Sequence, residues 1–192
     1  MYEERITMND RKTPNITIEK ISLERIGDVH ETFIESSEEW IAEEMINKAD
    51  MSLEGIEAGT KKLLELWDKD EFYLFNILDA STNQVLGFVF LNHVSRQYQM
   101  ANLGYAVRTS RIGEGIATEA AKLAARFGFE KLGLQRIEIM ARKEHAASLR
   151  VAEKVGAVRE GLLRNRVQHH GIPWDVYMHS LIPEDFGINK TA

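Results

Sequence analysis

A run of three strand-like segments, followed by a long helix and one more strand, restricts the fold of this 192-residue chain more than any other feature. The segments Phe72–Leu78, Val85–Val94 and Tyr98–Val107 alternate apolar and polar residues with a period of two, which predicts β-strands. Residues 79–83 between the first two are rich in turn-forming side chains. The three strands are therefore expected to form an antiparallel meander, which needs only short connections.

The second half of the chain adds a parallel connection to this meander. A helical pattern covers Glu114–Lys131, and a short strand pattern follows at Gln135–Ala141. Strand, helix and strand in one sheet make a right-handed parallel crossover. A further helix at Ala146–Val155 and two strands at Val158–Val167 and Trp174–Leu181 complete the pattern. The predicted fold class is α+β, with a mixed, mostly antiparallel sheet flanked by helices.

The first third of the chain predicts one strand and two helices. Isoleucines within residues 16–21 indicate the strand, and a helical pattern follows from Ser22 to Met45 with a predicted break near Glu35–Ser37. Ser52 is a plausible N-cap for a second amphipathic helix that reaches Trp67.

The domain boundaries lie near the two ends of the chain. Residues 1–14 are polar and lack periodicity, so they are predicted to be a mobile tail. Residues 15–187 are predicted to form a single domain, because no repeat, low-complexity segment or linker divides them. Residues 188–192 form a short C-terminal tail in this interpretation.

The charge of the chain is unevenly distributed. The formal net charge is −6, yet residues 1–71 carry −10 and residues 72–192 carry +4. The net charge disfavours nucleic acid as a partner. The basic later portion is either ordinary solvated surface or the side that meets an anionic ligand, and composition leaves both open.

Composition also excludes several classes of site. The chain has no cysteine, which excludes disulfides, thiolate metal sites and a cysteine nucleophile and fits a cytoplasmic protein. The longest apolar run, near Val85–Leu91, is far below the roughly 20 residues that span a bilayer, so no membrane association is expected. The adjacent His169 and His170 would point to opposite faces of a strand, so no metal site is predicted.

The segment from Gly104 to Thr118 carries the chemistry. A strand enters a loop with two glycines and passes directly into a long helix, whose first N–H groups have no internal partner and lie at the positive end of the helix dipole. Gly113 and Gly115 allow a ligand to approach the backbone closely, and arginines 108 and 111 stand beside them. This pattern is typical of a backbone phosphate site, and it also fits a plain strand-to-helix turn.

Two familiar nucleotide motifs do not fit this loop. A P-loop requires Lys followed by Ser or Thr after the glycines, and neither pair is present. A dinucleotide fingerprint requires a third glycine where Thr118 stands, and it starts from a βαβ unit rather than a meander.

The loop resembles the acetyl-coenzyme A signature of the GNAT acetyltransferase superfamily, Arg/Gln-x-x-Gly-x-Gly/Ala, with Gly115 and Ala117 at its last two fixed positions. The segments Leu134–Ile139, Ala147–Gly156 and Arg159–Gly161 resemble the Rim-type branch, which acetylates protein N-termini. Gly171, Trp174, Asp175 and Leu181 match the C-terminal hairpin of that branch.

The resemblance implies a GNAT fold in which the strand before the loop splays from its parallel neighbour. Main-chain groups of that strand would bind the pantetheine arm and polarise the thioester carbonyl, and the loop amides would hold the pyrophosphate. An amine would attack the acetyl carbon directly, so catalysis would rest on positioning and oxyanion stabilisation. The residues implied to contact acetyl-coenzyme A are Tyr105, Ala106, Val107, Arg108, Arg111, Ile112, Gly113, Glu114, Gly115, Ile116, Ala117, His145 and Ser148.

Several positions depart from the family pattern. Ile112 replaces the leading Arg/Gln, and His145 replaces the usual Asn. Ala152 stands where many members carry a tyrosine acid. The resemblance to the Rim-type branch implies that the serine at the helix start, Ser148, is the acid that protonates the departing thiolate, and a simple helix-turn serine is the alternative. Asn102 stands where many relatives have a glutamate base, and an amide cannot accept the proton.

The absence of an identified base bears on the acceptor. At pH 7 roughly a tenth of an α-amine is neutral, against about one lysine in several thousand. A site without a strong base therefore suits an N-terminal amine better than a lysine, which agrees with the Rim-type resemblance. That resemblance implies N-acetyl transfer to a protein N-terminus, with Trp40 and Asn102 on the substrate side. A small-molecule acetyltransferase acting on a polyamine or amino sugar, and a non-catalytic coenzyme A sensor, stay open. Both a monomer and a homodimer are compatible with the sequence.

Overall fold

The computed structural model describes residues 5–7, 13–42, 51–169 and 171–189, with side chains described for 13–36, 51–168 and 171–189. The strands are β1 (Arg5–Thr7), β2 (Ile16–Lys20), β3 (Tyr73–Asp79), β4 (Val85–Ser95), β5 (Met100–Val107), β6 (Arg136–Arg142), β7 (Val158–His169) and β8 (Ile172–Leu181). The helices are α1 (Ile26–Ala42), α2 (Leu53–Asp68), α3 (Ile116–Glu130) and α4 (Ala146–Val155).

The strands form one eight-stranded sheet in the order β1-β2-β3-β4-β5-β6-β8-β7. The predicted meander is confirmed, since β3, β4 and β5 pair antiparallel in sequence. The predicted parallel connection is also confirmed, because β5 and β6 are parallel and are joined through α3. The sheet is therefore mixed and mostly antiparallel, as expected.

The parallel pairing of β5 with β6 is short. It consists of Met100 with Arg136, Ala101 with Ile137 and Asn102 with Glu138. Beyond these three pairs β5 stays paired with β4 as far as Val107, and β6 stays paired with β8 as far as Arg142. The facing edges of β5 and β6 thus diverge, which opens the sheet in its middle.

Helices cover both faces of the sheet because alternate strand residues point to opposite sides. On one face, α3 packs its apolar residues onto the strands, and Trp67 of α2 contacts Phe75 and Phe127 with ring centroids 5.0 and 6.1 Å away. On the other face, a smaller core joins Val29 of α1 to Ile56 of α2.

Local signals explain where the helices begin and end. Ser52 caps α2, since its hydroxyl accepts the Gly55 amide at 3.0 Å, as predicted. Helix α3 begins at Ile116 rather than Glu114, because Gly115 takes the left-handed conformation at the N-cap. Helix α4 ends at Gly156, which is also left-handed.

Two features of the N-terminal third differ from the prediction. Within the predicted tail, Arg5–Thr7 forms strand β1, which pairs with β2. The predicted break in α1 near Glu35–Ser37 is wrong, because the helix continues to Ala42. Ser36 is fully buried, so α1 contacts the rest of the fold at the position of the predicted break. None of the described helices is long and apolar enough to span a membrane.

Candidate active site

A cleft of about 430 Å³ occupies the opening between β5 and β6. Its walls are the diverging halves of these strands, and the first turns of α3 and α4 close its ends. The residues that line the cleft include Phe90, Gly104, Tyr105, Arg111, Arg142, His145, Ser148, Arg150 and Lys154, together with the loop from Ile112 to Ala117 except Glu114.

The glycine loop, residues 112–115, leads into α3 at one end of the cleft. Gly113 and Gly115 have φ angles of 90° and 83°, which other residues rarely adopt. The helix begins immediately afterwards, so its first N–H groups and the positive end of its dipole face the cleft. The amide of Ile112 instead donates to the Thr109 carbonyl at 3.4 Å, which leaves the later residues of the loop for an anion.

The turn before the glycine loop is fastened to helix α1. Arg108 is only 6% exposed and its guanidinium lies 2.6 Å from a Glu35 carboxylate oxygen. The same carboxylate accepts the Ser110 amide at 3.2 Å, and Ser36 Oγ accepts the Thr109 amide at 3.1 Å. A hydrogen bond from the Ser110 hydroxyl is the main reason that the pKa of Glu35 is lowered.

This fastening changes the predicted role of Arg108. Its side chain is buried beside α1 and is not part of the cleft wall, so it anchors the loop and does not face the coenzyme site. Glu114 likewise lies outside the cleft wall, and it forms an ion pair with Arg111 in which Arg111 Nε lies 2.9 Å from Glu114 Oε1. Arg111 does line the cleft, and it also lies 3.7 Å from Asp79.

The ionisable side chains of the cleft wall are mostly basic. The basic ones are Arg111, Arg142, His145, Arg150 and Lys154, Tyr105 is the other ionisable group, and within the described part of the chain no Asp or Glu joins them. Three of these, Arg142 of β6 and Arg150 and Lys154 of α4, were not predicted from the sequence. Arg150 and Lys154 are four residues apart on α4, a spacing that places both on one helix face and could have identified them.

At the start of α4 the structure brings together three residues that the sequence predicted. His145 caps the helix, and its Nδ1 accepts the Ser148 amide at 3.2 Å. The phenol oxygen of Tyr105 lies 3.1 Å from both the carbonyl oxygen and Oγ of Ser148. Burial raises the pKa of Tyr105 to about 12.

Asn102, which was predicted on the substrate side, is not brought together with these groups. The Asn102 amide donates to Asn92 Oδ1 at 2.8 Å on the last β5–β6 pair, and Asn102 lies outside the cleft wall. Trp40 lies in α1, where the described structure does not include its side chain.

An aromatic wall of the cleft was missed from the sequence. Phe90 of β4 contacts the cleft and stacks on Phe72 with ring centroids 5.4 Å apart. Gly104 lies against this ring, since a Cβ at that position would meet Phe90 Cζ at 2.2 Å. Gly104 therefore gives the Phe90 ring the room to form part of the wall. The described residues contain no group of three or more metal-ligating side chains.

Comparison with known proteins agrees with this geometry. The family described as an acetyltransferase (GNAT) domain matches residues 15–158. A Bacillus subtilis (strain 168) protein named probable N-acetyltransferase YjcK is 35% identical over 125 residues, which are 65% of this chain and 68% of that protein. Escherichia coli (strain K12) spermidine N(1)-acetyltransferase is 28% identical over 111 residues, which are 55% of this chain and 58% of that enzyme.

Among solved structures, Mycobacterium smegmatis RimJ in complex with CoA-disulfide is similar in fold, with a TM-score of 0.80. It is 19% identical, and the match covers 94% of this chain and 88% of RimJ. The resemblance predicted from the glycine loop is confirmed at the level of the family, since the family match spans most of the chain and includes the loop. The chain therefore belongs to the GNAT acetyltransferase family.

Proposed function

We propose that this protein transfers an acetyl group from acetyl-coenzyme A to the α-amine of a protein N-terminus. The observation that carries the proposal is the three-pair contact between β5 and β6, which opens a cleft between a glycine loop and the start of α4. The cleft offers strand backbone on one side and helix amides on the other, and its ionisable wall is basic.

The cleft fits acetyl-coenzyme A in shape and in charge. Backbone groups of Tyr105–Val107 lie on the edge of β5 that β6 has left, where they can bind an extended amide-bearing arm. The amides from Gly113 to Ala117 and the side chain of Arg111 suit a pyrophosphate. Arg150 and Lys154 add positive charge at the α4 side. Acetyl-coenzyme A would supply the acetyl group as an activated thioester.

The arrangement favours direct attack by the amine over a covalent acyl-enzyme. The chain has no cysteine, and the hydroxyl of Ser148 has no adjacent base in the described structure. His145 Nδ1 is occupied by the Ser148 amide, so it cannot take a proton from Ser148 Oγ through that nitrogen. Ser148 Oγ instead lies 3.1 Å from the phenol oxygen of Tyr105, and either hydroxyl can donate in that hydrogen bond.

The charge of the wall supports an α-amine as the acceptor. Since no described wall residue is a carboxylate, the cleft offers no strong base to deprotonate a lysine and no negative charge to hold a polycation. An N-terminal amine needs less help, because about one in ten is already neutral at pH 7.

Acetyl transfer to matched peptides tests the proposal. One peptide has a free N-terminus and no lysine, and its partner has a blocked N-terminus and one lysine. We expect release of free coenzyme A thiol, and a gain of one acetyl group by mass spectrometry, with the first peptide only. Transfer to the lysine peptide at an equal kcat/KM would contradict the choice of acceptor.

A small polyamine is the second candidate acceptor. It is favoured by the 28% identity to spermidine N(1)-acetyltransferase and by the acidic balance of residues 1–71, which could attract a cation. Spermidine belongs in the same assay, and a higher kcat/KM for spermidine than for the free peptide would establish this alternative. Stabilisation by acetyl-coenzyme A without turnover of any amine would instead indicate a sensor.

A further inference from the structure

We propose that the phenol of Tyr105 is a positioning residue, which orients the Ser148 hydroxyl so that this hydroxyl donates to the sulfur leaving the thioester. The inference rests on the proposed function and adds a residue on β5 to the chemistry at the start of α4. Tyr105 was expected to contribute only backbone contacts to the coenzyme.

The geometry limits what the phenol proton can do. Tyr105 Oη lies 3.1 Å from two acceptors, the carbonyl oxygen and Oγ of Ser148. A phenol has one proton, and a carbonyl oxygen can only accept. When the phenol donates to the carbonyl, its oxygen can accept the Ser148 hydroxyl proton. When the phenol donates to Oγ, the Ser148 proton is released to point elsewhere.

The two arrangements interconvert by rotation of two hydroxyl groups, without movement of any heavy atom. In the first, the Ser148 proton is held by Tyr105. In the second, Tyr105 fixes and polarises Oγ, and the Ser148 proton faces the cleft that both side chains line. A hydroxyl that already accepts a hydrogen bond is a better donor, because bonds in a chain polarise one another.

The surroundings keep Tyr105 in its protonated form. Burial raises the pKa of Tyr105 to about 12, so the phenol remains a donor at the pH of an assay. His145 fixes the backbone of Ser148 from the other side by accepting its amide. Ser148 is therefore held by β5 through Tyr105 and by the helix cap through His145.

The reaction balances without any further reactant. The bond from nitrogen to the acetyl carbon forms and the carbon–sulfur bond breaks, so the electron pair stays on sulfur. The amine loses its proton to solvent. The hydrogen bond from Ser148 stabilises the negative charge on sulfur, and a proton from solvent then neutralises the thiolate, so Ser148 and Tyr105 keep their own protons.

A binding experiment tests this role without turnover. Affinities for coenzyme A and for desulfo-coenzyme A are measured by calorimetry between pH 7 and pH 9.5. Because the donor pair stabilises a thiolate, we expect wild-type protein to prefer coenzyme A increasingly as the pH rises. Tyr105→Phe and Ser148→Ala should both lose this increase, while a residue that only packs β5 against α4 would leave it unchanged.

Turnover gives the second readout. With acetyl-coenzyme A, Tyr105→Phe should lower kcat about tenfold to a hundredfold with little change in KM, within the range of positioned proton donors. A protein that carries both Tyr105→Phe and Ser148→Ala should be no slower than Ser148→Ala alone, because the two residues act as one unit. Tyr98→Phe is the matched control, since Tyr98 is 69% exposed outside the cleft, and it should behave as wild type.

The outcomes separate this inference from the proposed function. Wild-type kcat together with an unchanged pH-dependent preference in Tyr105→Phe overturns the inference. If wild-type protein acetylates no amine, the proposed function fails, and the binding preference still decides the role of Tyr105. If Tyr105→Phe does not fold, Ser148→Ala carries the test, and an unchanged preference in that variant overturns the inference.

Discussion

Helix α1 and the turn ahead of the glycine loop are joined through one carboxylate, so replacing Glu35 with alanine should destabilise the protein far more than a surface substitution. The change removes the carboxylate that pairs with the guanidinium of Arg108, and the Arg108 side chain is only 7% exposed, so a buried positive charge loses its ion-pair partner. It also removes the acceptor of the Ser110 amide and hydroxyl.

The size of the effect follows from the burial of the pair. Breaking a buried ion pair by removing one partner costs 3–5 kcal/mol, and the lower part of this range applies because Glu35 is 33% exposed. We expect a loss of about 3 kcal/mol in the free energy of unfolding. At roughly 2–4 °C per kcal/mol for a chain of this length, Tm should fall by about 6–12 °C.

A surface carboxylate provides the matched control. Glu57 of α2 pairs with Lys61 at 2.6 Å, and the two side chains are 47% and 56% exposed. Such a pair contributes only about 0.3–0.5 kcal/mol, so Glu57→Ala should lower Tm by less than about 2 °C. Scanning calorimetry of the three proteins measures the difference. Equal Tm values for Glu35→Ala and Glu57→Ala would refute the reasoning.

The pH dependence gives an independent check. The pKa of Glu35 is lowered from its ordinary value of 4.5. The stabilisation is therefore fully present above pH 4.5 and is lost as the pH falls through the lowered value. The Tm gap between wild type and Glu35→Ala should hold at pH 6 and narrow at lower pH. A gap that is constant down to pH 3 would contradict the role of the carboxylate.

Three further variants, the last with two substitutions, test the loop, the cap and the basic wall. Gly115→Val places a branched side chain at a φ of 83°, so it should cost at least 1–2 kcal/mol and weaken acetyl-coenzyme A binding more than tenfold by calorimetry. Ser52→Ala removes the cap of α2 and should cost about 1 kcal/mol in urea unfolding. The double change Arg150→Ala and Lys154→Ala should weaken coenzyme binding and reduce its salt dependence.

Each of these has an outcome that would contradict it. Unchanged coenzyme affinity in Gly115→Val would remove the glycine loop from the site. Wild-type stability of Ser52→Ala would mean that the cap is replaced by another acceptor. An unchanged salt dependence in the double variant would show that the two cations do not face an anion.

The regular elements could be predicted because their signals are local. Helix α4 has the predicted bounds, Ala146–Val155, since His145 and Gly156 mark its ends. The meander and the crossover follow from periodicity and connection length alone. The glycine loop was recognisable because left-handed glycines and a helix start leave a pattern in consecutive residues.

The long-range contacts could not be predicted in the same way. Arg108 stands beside the glycine loop in the sequence, yet its partner Glu35 is 73 residues away, and only the packing of α1 on the sheet brings them together. For the same reason the polar residues Glu35 and Ser36 predict a break in α1 from the sequence, because their partners in the turn before the glycine loop are distant along the chain. The bond between Tyr105 and Ser148 spans 43 residues and depends on the angle at which α4 leaves β6.

The three pairs between β5 and β6 have a consequence for the width of the cleft. They are the strand-to-strand contact between the first five strands and the last three, and the middle pair, Ala101 and Ile137, is fully buried. Strands that part at a fixed place diverge by an amount set by the twist of the sheet there. The space available to a ligand is therefore determined by core packing at a point behind the site, and side chains that never touch the ligand set its fit.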